Sequence, residues 1–162
     1  MQNEIIREVT SADDPAWESV KLLFADMYAF MSGKGLLLGL SDDGPEKWVA
    51  AVSKGLGRFG VLFISMRGEE ISGFAHGSIR LTPDYLGNRK TGMVTHIHMK
   101  EQYRGKGTGK KLVEALEKWF ATNDVHSIEL QVVGGNTPAM AFWETLGYAR
   151  ELVQYRKMGK RH

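Results

Sequence analysis

The chain switches repeatedly between two hydrophobic periods, and the switches mark its elements. Residues 5–9, with Ile5, Ile6 and Val9, predict a short strand. Ser11, Asp13 and Asp14 offer caps ahead of Pro15, which is tolerated in a first helical turn, so a helix is predicted to about Met31. Residues 32–44 read as a loop and GPEKWVAAVSKGLG as a short helix. RFGVLFISMRGEEISGFAHGSIRL predicts two strands joined at residues 67–70, a hairpin. After a polar loop holding Pro83, Asn88 and Lys90, MVTHIHM alternates with period two. That pattern predicts a strand with Met93, Thr95, Ile97 and Met99 on one face and Val94, His96 and His98 on the other. Leu112, Val113, Leu116, Trp119 and Phe120 recur at helical spacing, SIELQVV alternates again, and TPAMAFWETLG predicts a helix ending at Gly147. Two final strands are predicted within YARELVQYRKM.

This order implies an α/β domain, a mixed sheet with helices on both faces. With 162 residues, 43% of them hydrophobic, the chain suits one domain over residues 1–162. No repeat or linker divides it. The absence of cysteine excludes a disulfide framework, a thiolate metal site and a thiol nucleophile, and makes the cytoplasm the expected compartment. The charged N-terminus is unlike a signal peptide, and no apolar run approaches a membrane span. A net charge of +2 gives no reason to expect a nucleic-acid partner.

Chemistry concentrates in QYRGKGTGKKLVEALEKWF. There a strand end passes through glycines into a helix, flanked by Arg104, Lys106, Lys110 and Lys111 with no acid between residues 102 and 113. First helical turns leave backbone N–H groups unpaired and carry partial positive charge, so a glycine-lined helix start suits an anion such as a pyrophosphate. A Walker A loop is excluded, because Arg104 and Lys111 stand where it requires glycine and Ser or Thr. The dinucleotide pattern fails from both Gly105 and Gly107, where Lys110 and Leu112 take the last place. Glycine and charge alone remain compatible with a plain glycine-rich turn.

The run Arg104-Gly105-Lys106-Gly107-Thr108-Gly109 resembles the R/Q-x-x-G-x-G/A signature of the GNAT acetyltransferase superfamily, and NTPAMAFWETLGY resembles its closing motif. The resemblance is specific over residues 94–148 and implies a GNAT fold: a central, largely antiparallel sheet with splayed middle strands. It implies that Ile97, His98 and Met99 splay from the strand over residues 127–133 and pair with the pantetheine arm of acetyl-CoA. It also implies that the backbone of Arg104, Gly105, Lys106, Gly107, Thr108 and Gly109 takes the pyrophosphate. Asn136 would touch the pantetheine or cap the last helix, and Trp143 would lie at the cofactor where many members carry a tyrosine acid. The reaction implied is acetyl transfer to a primary amine by direct attack in a ternary complex, without a metal. A homodimer is compatible with the resemblance. A noncatalytic acyl-CoA-binding module is the other reading.

The chain departs from the family at two places. Trp143 has an indole N–H that does not ionise usefully, and Gln131 stands where ribosomal-protein acetyltransferases of the family place a glutamate base. His96 and His98 titrate in a useful range and are candidate bases, with Glu129 and, as a possible acid, Tyr155 as further candidates. The two histidines also resemble a metal pair, but no third ligand of clear spacing accompanies them. In the family the first two helices and the loop before the central strand shape the acceptor site. Tyr28, Asp42, Asp43, Asp84 and Tyr85 are accordingly the candidates for holding a small-molecule or peptide amine, together with Phe30, Trp48 and Glu46.

Overall fold

Strands that are apolar on both sides need a helical layer on each, and this sheet has both. The computed structural model describes residues 3–160, so the ends of the domain expected over residues 1–162 lie outside the described part. Strands β1 (Glu4–Val9), β2 (Gly60–Arg67), β3 (Glu70–Leu81), β4 (Lys90–Met99) and β5 (Ser127–Leu130) lie side by side in chain order. The first four run antiparallel and β5 runs parallel to β4. Helices α1 (Trp17–Ser32) and α2 (Gly44–Gly55) cover one face, where Val20, Phe24 and Met27 meet Leu62, Ile64 and Phe74. Helices α3 (Thr108–Thr122) and α4 (Thr137–Thr145) cover the other, where Leu112, Leu116 and Phe120 meet Val61, Ala75 and Val94. Successive β2 residues thus serve opposite cores, as the period of a strand requires.

The seat of α3 is cut by two glycines on adjacent strands. A Cβ at Gly77 would lie 2.8 Å from the Phe120 ring and one at Gly92 2.7 Å from it, so bare backbone lets this fully buried ring rest on the sheet. Truncating Phe120 would cost about 3–5 kcal/mol, the usual figure for a buried aromatic. This contact aims the start of α3 at the end of β4.

Three sequence expectations are corrected. First, β4 does not alternate throughout: His76 pairs with His96 but Gly77 pairs with Val94, which leaves Thr95 as an extra, bulged residue. Val94 therefore packs in the α3 core and does not share a face with His96 and His98. Second, β5 stops at Leu130 short of Val133, because its pairing with β4 ends at Val94, where the bulge bends the partner edge away. Third, residues 149–160 form no strand and are exposed throughout. Alternation alone does not make a strand when no sheet edge runs beside it. Elsewhere the expected elements form, and Asp14 Oδ1 accepts from the Ala16 N–H at 2.9 Å, just ahead of α1.

Candidate active site

The site begins where β4 outruns its neighbour. Thr91 to Val94 pair with β5, while β4 continues to Met99 paired only with β3 among the described residues, its other side open. Lys100 donates its N–H to Ser72 O at 2.8 Å, and strand alternation then turns the N–H and C=O of Ile97 and Met99 to the open side. The Met99 carbonyl there accepts from Arg104 Nε at 3.2 Å. Such an edge takes an extended, amide-bearing chain as it would take a strand.

The open edge leads straight into the helix start. Gly105 and Gly107 adopt left-handed φ values of +76° and +83°, a region costly for other L-residues, and Gly107 caps α3 without a side chain. The N-terminal bond of α3 runs from Lys111 N to Gly107 O, so the amides of Thr108, Gly109 and Lys110 have no carbonyl one turn back within the helix. Gly109 plays a different part. A Cβ there would lie 3.0 Å from Met99 Cε and 3.3 Å from the Phe142 ring, so this glycine closes α3 onto β4 and α4.

Beneath the loop lies a carboxylate that sequence reasoning missed. Glu4, its side chain 5% exposed, accepts from Arg67 Nη2 at 2.7 Å and from the Thr108 hydroxyl at 2.5 Å, with Lys111 Nζ 3.5 Å away. The Thr108 side chain is thereby turned into β1, leaving its backbone toward the loop. Arg67 stacks on Tyr103, whose hydroxyl donates to Glu70, and Lys100 also bonds Glu70 at 2.9 Å. These pairs tie residues 100–108 to β1 and to the β2–β3 turn. Nothing local in the sequence marks Glu4, since 104 positions separate it from Thr108.

The bulge gathers the histidines. Thr95 Oγ1 lies 2.5 Å from His76 Nδ1 and 3.0 Å from His96 Nδ1, and its hydroxyl donates to His76 O at 3.2 Å. If the single hydroxyl proton goes to that carbonyl, both rings donate from Nδ1 and Nε2 is the basic nitrogen of each. His96 stands among Phe24, Tyr28 and Trp48, at centroid distances of 5.1, 6.3 and 5.4 Å. Burial pushes both histidines down to about 4, so both are neutral near pH 7.

His98 meets a different environment. Its Nε2 lies 2.8 Å from Asp26 Oδ2, on a carboxylate that is 63% exposed, while Arg104 stacks on Phe30 at 4.8 Å nearby. Burial lowers the His98 pKa and the Asp26 bond opposes that shift. An imidazole bonded to an exposed carboxylate is coupled to solvent, which is what a proton exit needs. Asp26 was not singled out from the sequence, although Phe30, one turn further along α1, was.

The other candidates scatter. Tyr28 and Trp48 do converge on His96. Asp43 is held by Ser41 at 3.1 Å and by Lys47 at 3.1 Å, and Asp84 accepts from the Asn88 side chain, so both are bonded within their own turns. Asp42 lies exposed just before α2, and Tyr85 projects into solvent. Glu129 is exposed on β5, paired with Met93. Asn136 Oδ1 accepts from the Ala139 N–H at 3.3 Å, an N-cap. Trp143 is 6% exposed in the α3 core, edge-on to Phe142 and Tyr148. Tyr155, expected on a terminal strand, is 91% exposed in the irregular C-terminal segment.

A sheet that splays beside a glycine-turned helix start defines an acyl-CoA N-acyltransferase fold. The chain belongs to the acetyltransferase (GNAT) family, whose model matches residues 38–148. Among curated proteins no sequence matches it. Among solved structures it resembles a mutant of the BH1408 protein from Bacillus halodurans, at 26% identity and a TM-score of 0.77, over 97% of this chain and 99% of that one. It resembles the aminoglycoside N-acetyltransferase AAC(6')-Iy in complex with CoA at 19% identity and a TM-score of 0.77, over 97% and 96% of the two chains. A transcriptional regulator from Bacillus halodurans C-125 superposes at 18% identity and a TM-score of 0.74, over 97% and 100%.

Proposed function

We propose that this domain transfers the acetyl group of acetyl-CoA to a primary amine of a small molecule or peptide, by direct attack in a ternary complex. The observation that carries the reading is the end of β4–β5 pairing at Val94, five residues before β4 itself ends and immediately upstream of the open helix start. Acetyl-CoA supplies an activated thioester. Ile97 and Met99 would hold the pantetheine arm along the free edge, and the amides of residues 105–110 would take the pyrophosphate with Lys106 and Lys110 beside them. Lys111 is partly engaged by Glu4.

The chain's remaining task is proton handling, since an amine of pKa near 10.4 is almost wholly protonated at neutral pH. His96 Nε2, neutral and facing the aromatic wall of Phe24, Tyr28 and Trp48, would accept the amine proton. The alternative route runs from His98 to Asp26 and water. The family and the similarity to a CoA-bound aminoglycoside N-acetyltransferase support a small-molecule amine acceptor. A thiol-release assay across polyamines, amino sugars and peptide N-termini tests this. Turnover that needs the amine supports it; tight CoA binding with no turnover on any amine establishes instead the noncatalytic module, the reading favoured by the placement of Trp143 in the core.

A further inference from the structure

Glu4 is a buried acid lying directly under the glycine-turned helix start proposed for the pyrophosphate, where its charge alone would oppose an anion. Two contacts change that balance. Its Oε2 accepts from Arg67 Nη2 at 2.7 Å, so carboxylate and guanidinium offset each other, and the register of β1 fixes Glu4 opposite Arg67 on β2. The same oxygen accepts from the hydroxyl of Thr108, the first residue of α3 and 1% exposed. A free threonine hydroxyl at a helix start bonds to the backbone of its own turn and competes for it. Held by Glu4, this one is turned away, and the N–H groups of Thr108 and Gly109 stay available. The other oxygen, Oε1, is buried without a hydrogen-bond partner among the described residues. Lys111 Nζ stands 3.5 Å from it, on a side chain that is 54% exposed. Lys111 is thus kept within one turn of the loop, but loosely.

We infer that Glu4 is a positioning residue for the cofactor's pyrophosphate: through Thr108 it sets the amides at the start of α3, and it holds Lys111 as a cation that passes to the phosphate when the anion arrives. The inference rests on the reading of residues 105–110 as the pyrophosphate site. A buried carboxylate that served the fold alone would have both oxygens bonded, whereas Glu4 leaves Oε1 to a side chain half in solvent. Charge does not select an acid at this place, since a negative group repels the ligand. What glutamate supplies is an acceptor that reaches Thr108 from β1 while Arg67 offsets its charge. Alignment of Thr108 therefore favours the anion, and the charge of Glu4 disfavours it.

These opposite signs can be separated by titrating CoA, and pantetheine, which lacks the pyrophosphate, into the full chain and its variants by calorimetry. Glu4→Gln keeps an acceptor for Thr108 and drops the charge, so it should bind CoA as tightly as the original chain or more tightly. Glu4→Ala drops both. It should bind CoA about fivefold more weakly or worse, the scale of one hydrogen bond, although the unbalanced Arg67 would by charge alone tighten binding. Thr108→Val, which leaves Glu4 paired with Arg67, should repeat that loss, and Thr108→Ser should restore affinity. Pantetheine affinity should stay within about twofold throughout, which reports a folded cleft in every variant. Tighter CoA binding by Glu4→Ala, equal losses for CoA and pantetheine, or a Thr108→Val protein that binds CoA like the original would each overturn the positioning role. An original chain that binds CoA no better than pantetheine would instead overturn the pyrophosphate reading beneath it.

Discussion

Asp26 Oδ2 on α1 lies 2.8 Å from Nε2 of His98 on β4, across 72 positions of sequence. The bond pins the first helix to the end of the central strand that β5 leaves open, and joins a buried imidazole to an exposed carboxylate. Replacing Asp26 with Ala removes the partner that raises the His98 pKa, so that pKa should fall further, as an NMR titration of the ring would show. If proton exit runs this way, kcat/KM should fall about tenfold or more. An unchanged titration together with an unchanged rate would remove His98 from the mechanism.

His96→Ala should cost one to a few powers of ten in kcat, about what a general base provides, while leaving acetyl-CoA affinity within about twofold. Burial puts His96 near 4, so its neutral form is complete throughout the neutral range and contributes no step there. A neutral-range rise set by a histidine, the natural expectation from sequence, is thus replaced. The rate should climb with pH toward the pKa of the acceptor amine, about 10.4 for a lysine-like group. Changing to an amine of lower pKa should move the profile by the same amount; a profile that stays fixed points to a group on the enzyme.

The same burial makes stability depend on pH. His76 has a folded pKa near 4 against an unfolded value of 6.5, so between these values the unfolded chain binds more protons. Stability is fully present above about 6.5 and is lost as pH falls toward 4, by on the order of 3 kcal/mol for this histidine. Urea midpoints measured across that window should decline with acid, and His76→Gln should lessen the decline, His96 supplying the remainder. Equal slopes in both proteins would refute the assignment to His76.

The two loop glycines should separate by assay. Gly107→Ala meets open space but strains a φ of +83°, so it should weaken acetyl-CoA binding by calorimetry with a melting change of only a few degrees. Gly109→Val meets Met99 and Phe142 and should lower the melting temperature markedly. Sequence spacing suggested one role, amide access, for both.

Trp143→Phe should leave kcat near its original value while lowering stability by about 1–2 kcal/mol, because the indole fills the α3 core beside Tyr148. Thermal melts and initial rates on the same preparation test this. A large loss of rate at unchanged stability would restore a catalytic part for the indole.

The sequence by itself determined whatever is periodic or local. The stripe of Leu112, Leu116 and Phe120 sets a helix, Gly105 and Gly107 set its turned entrance, and the order of elements sets a sheet with helices on two faces. These follow from repeat distance and backbone freedom, which neighbours in the chain supply. Tertiary structure decided what depends on residues far apart. Thr95 looks like any alternating strand residue, and only the pairing of His76 with His96 and of Gly77 with Val94 makes it a bulge that moves Val94 to the other core. Asp26 and Glu4 are ordinary acids until folding brings His98 and Thr108 to them, while Asp43 and Asp84 are bonded to partners in their own turns. The alternation of residues 149–158 remained a pattern without a strand, because a strand is completed by hydrogen bonds to a neighbour and folding brings none beside this segment among the described residues.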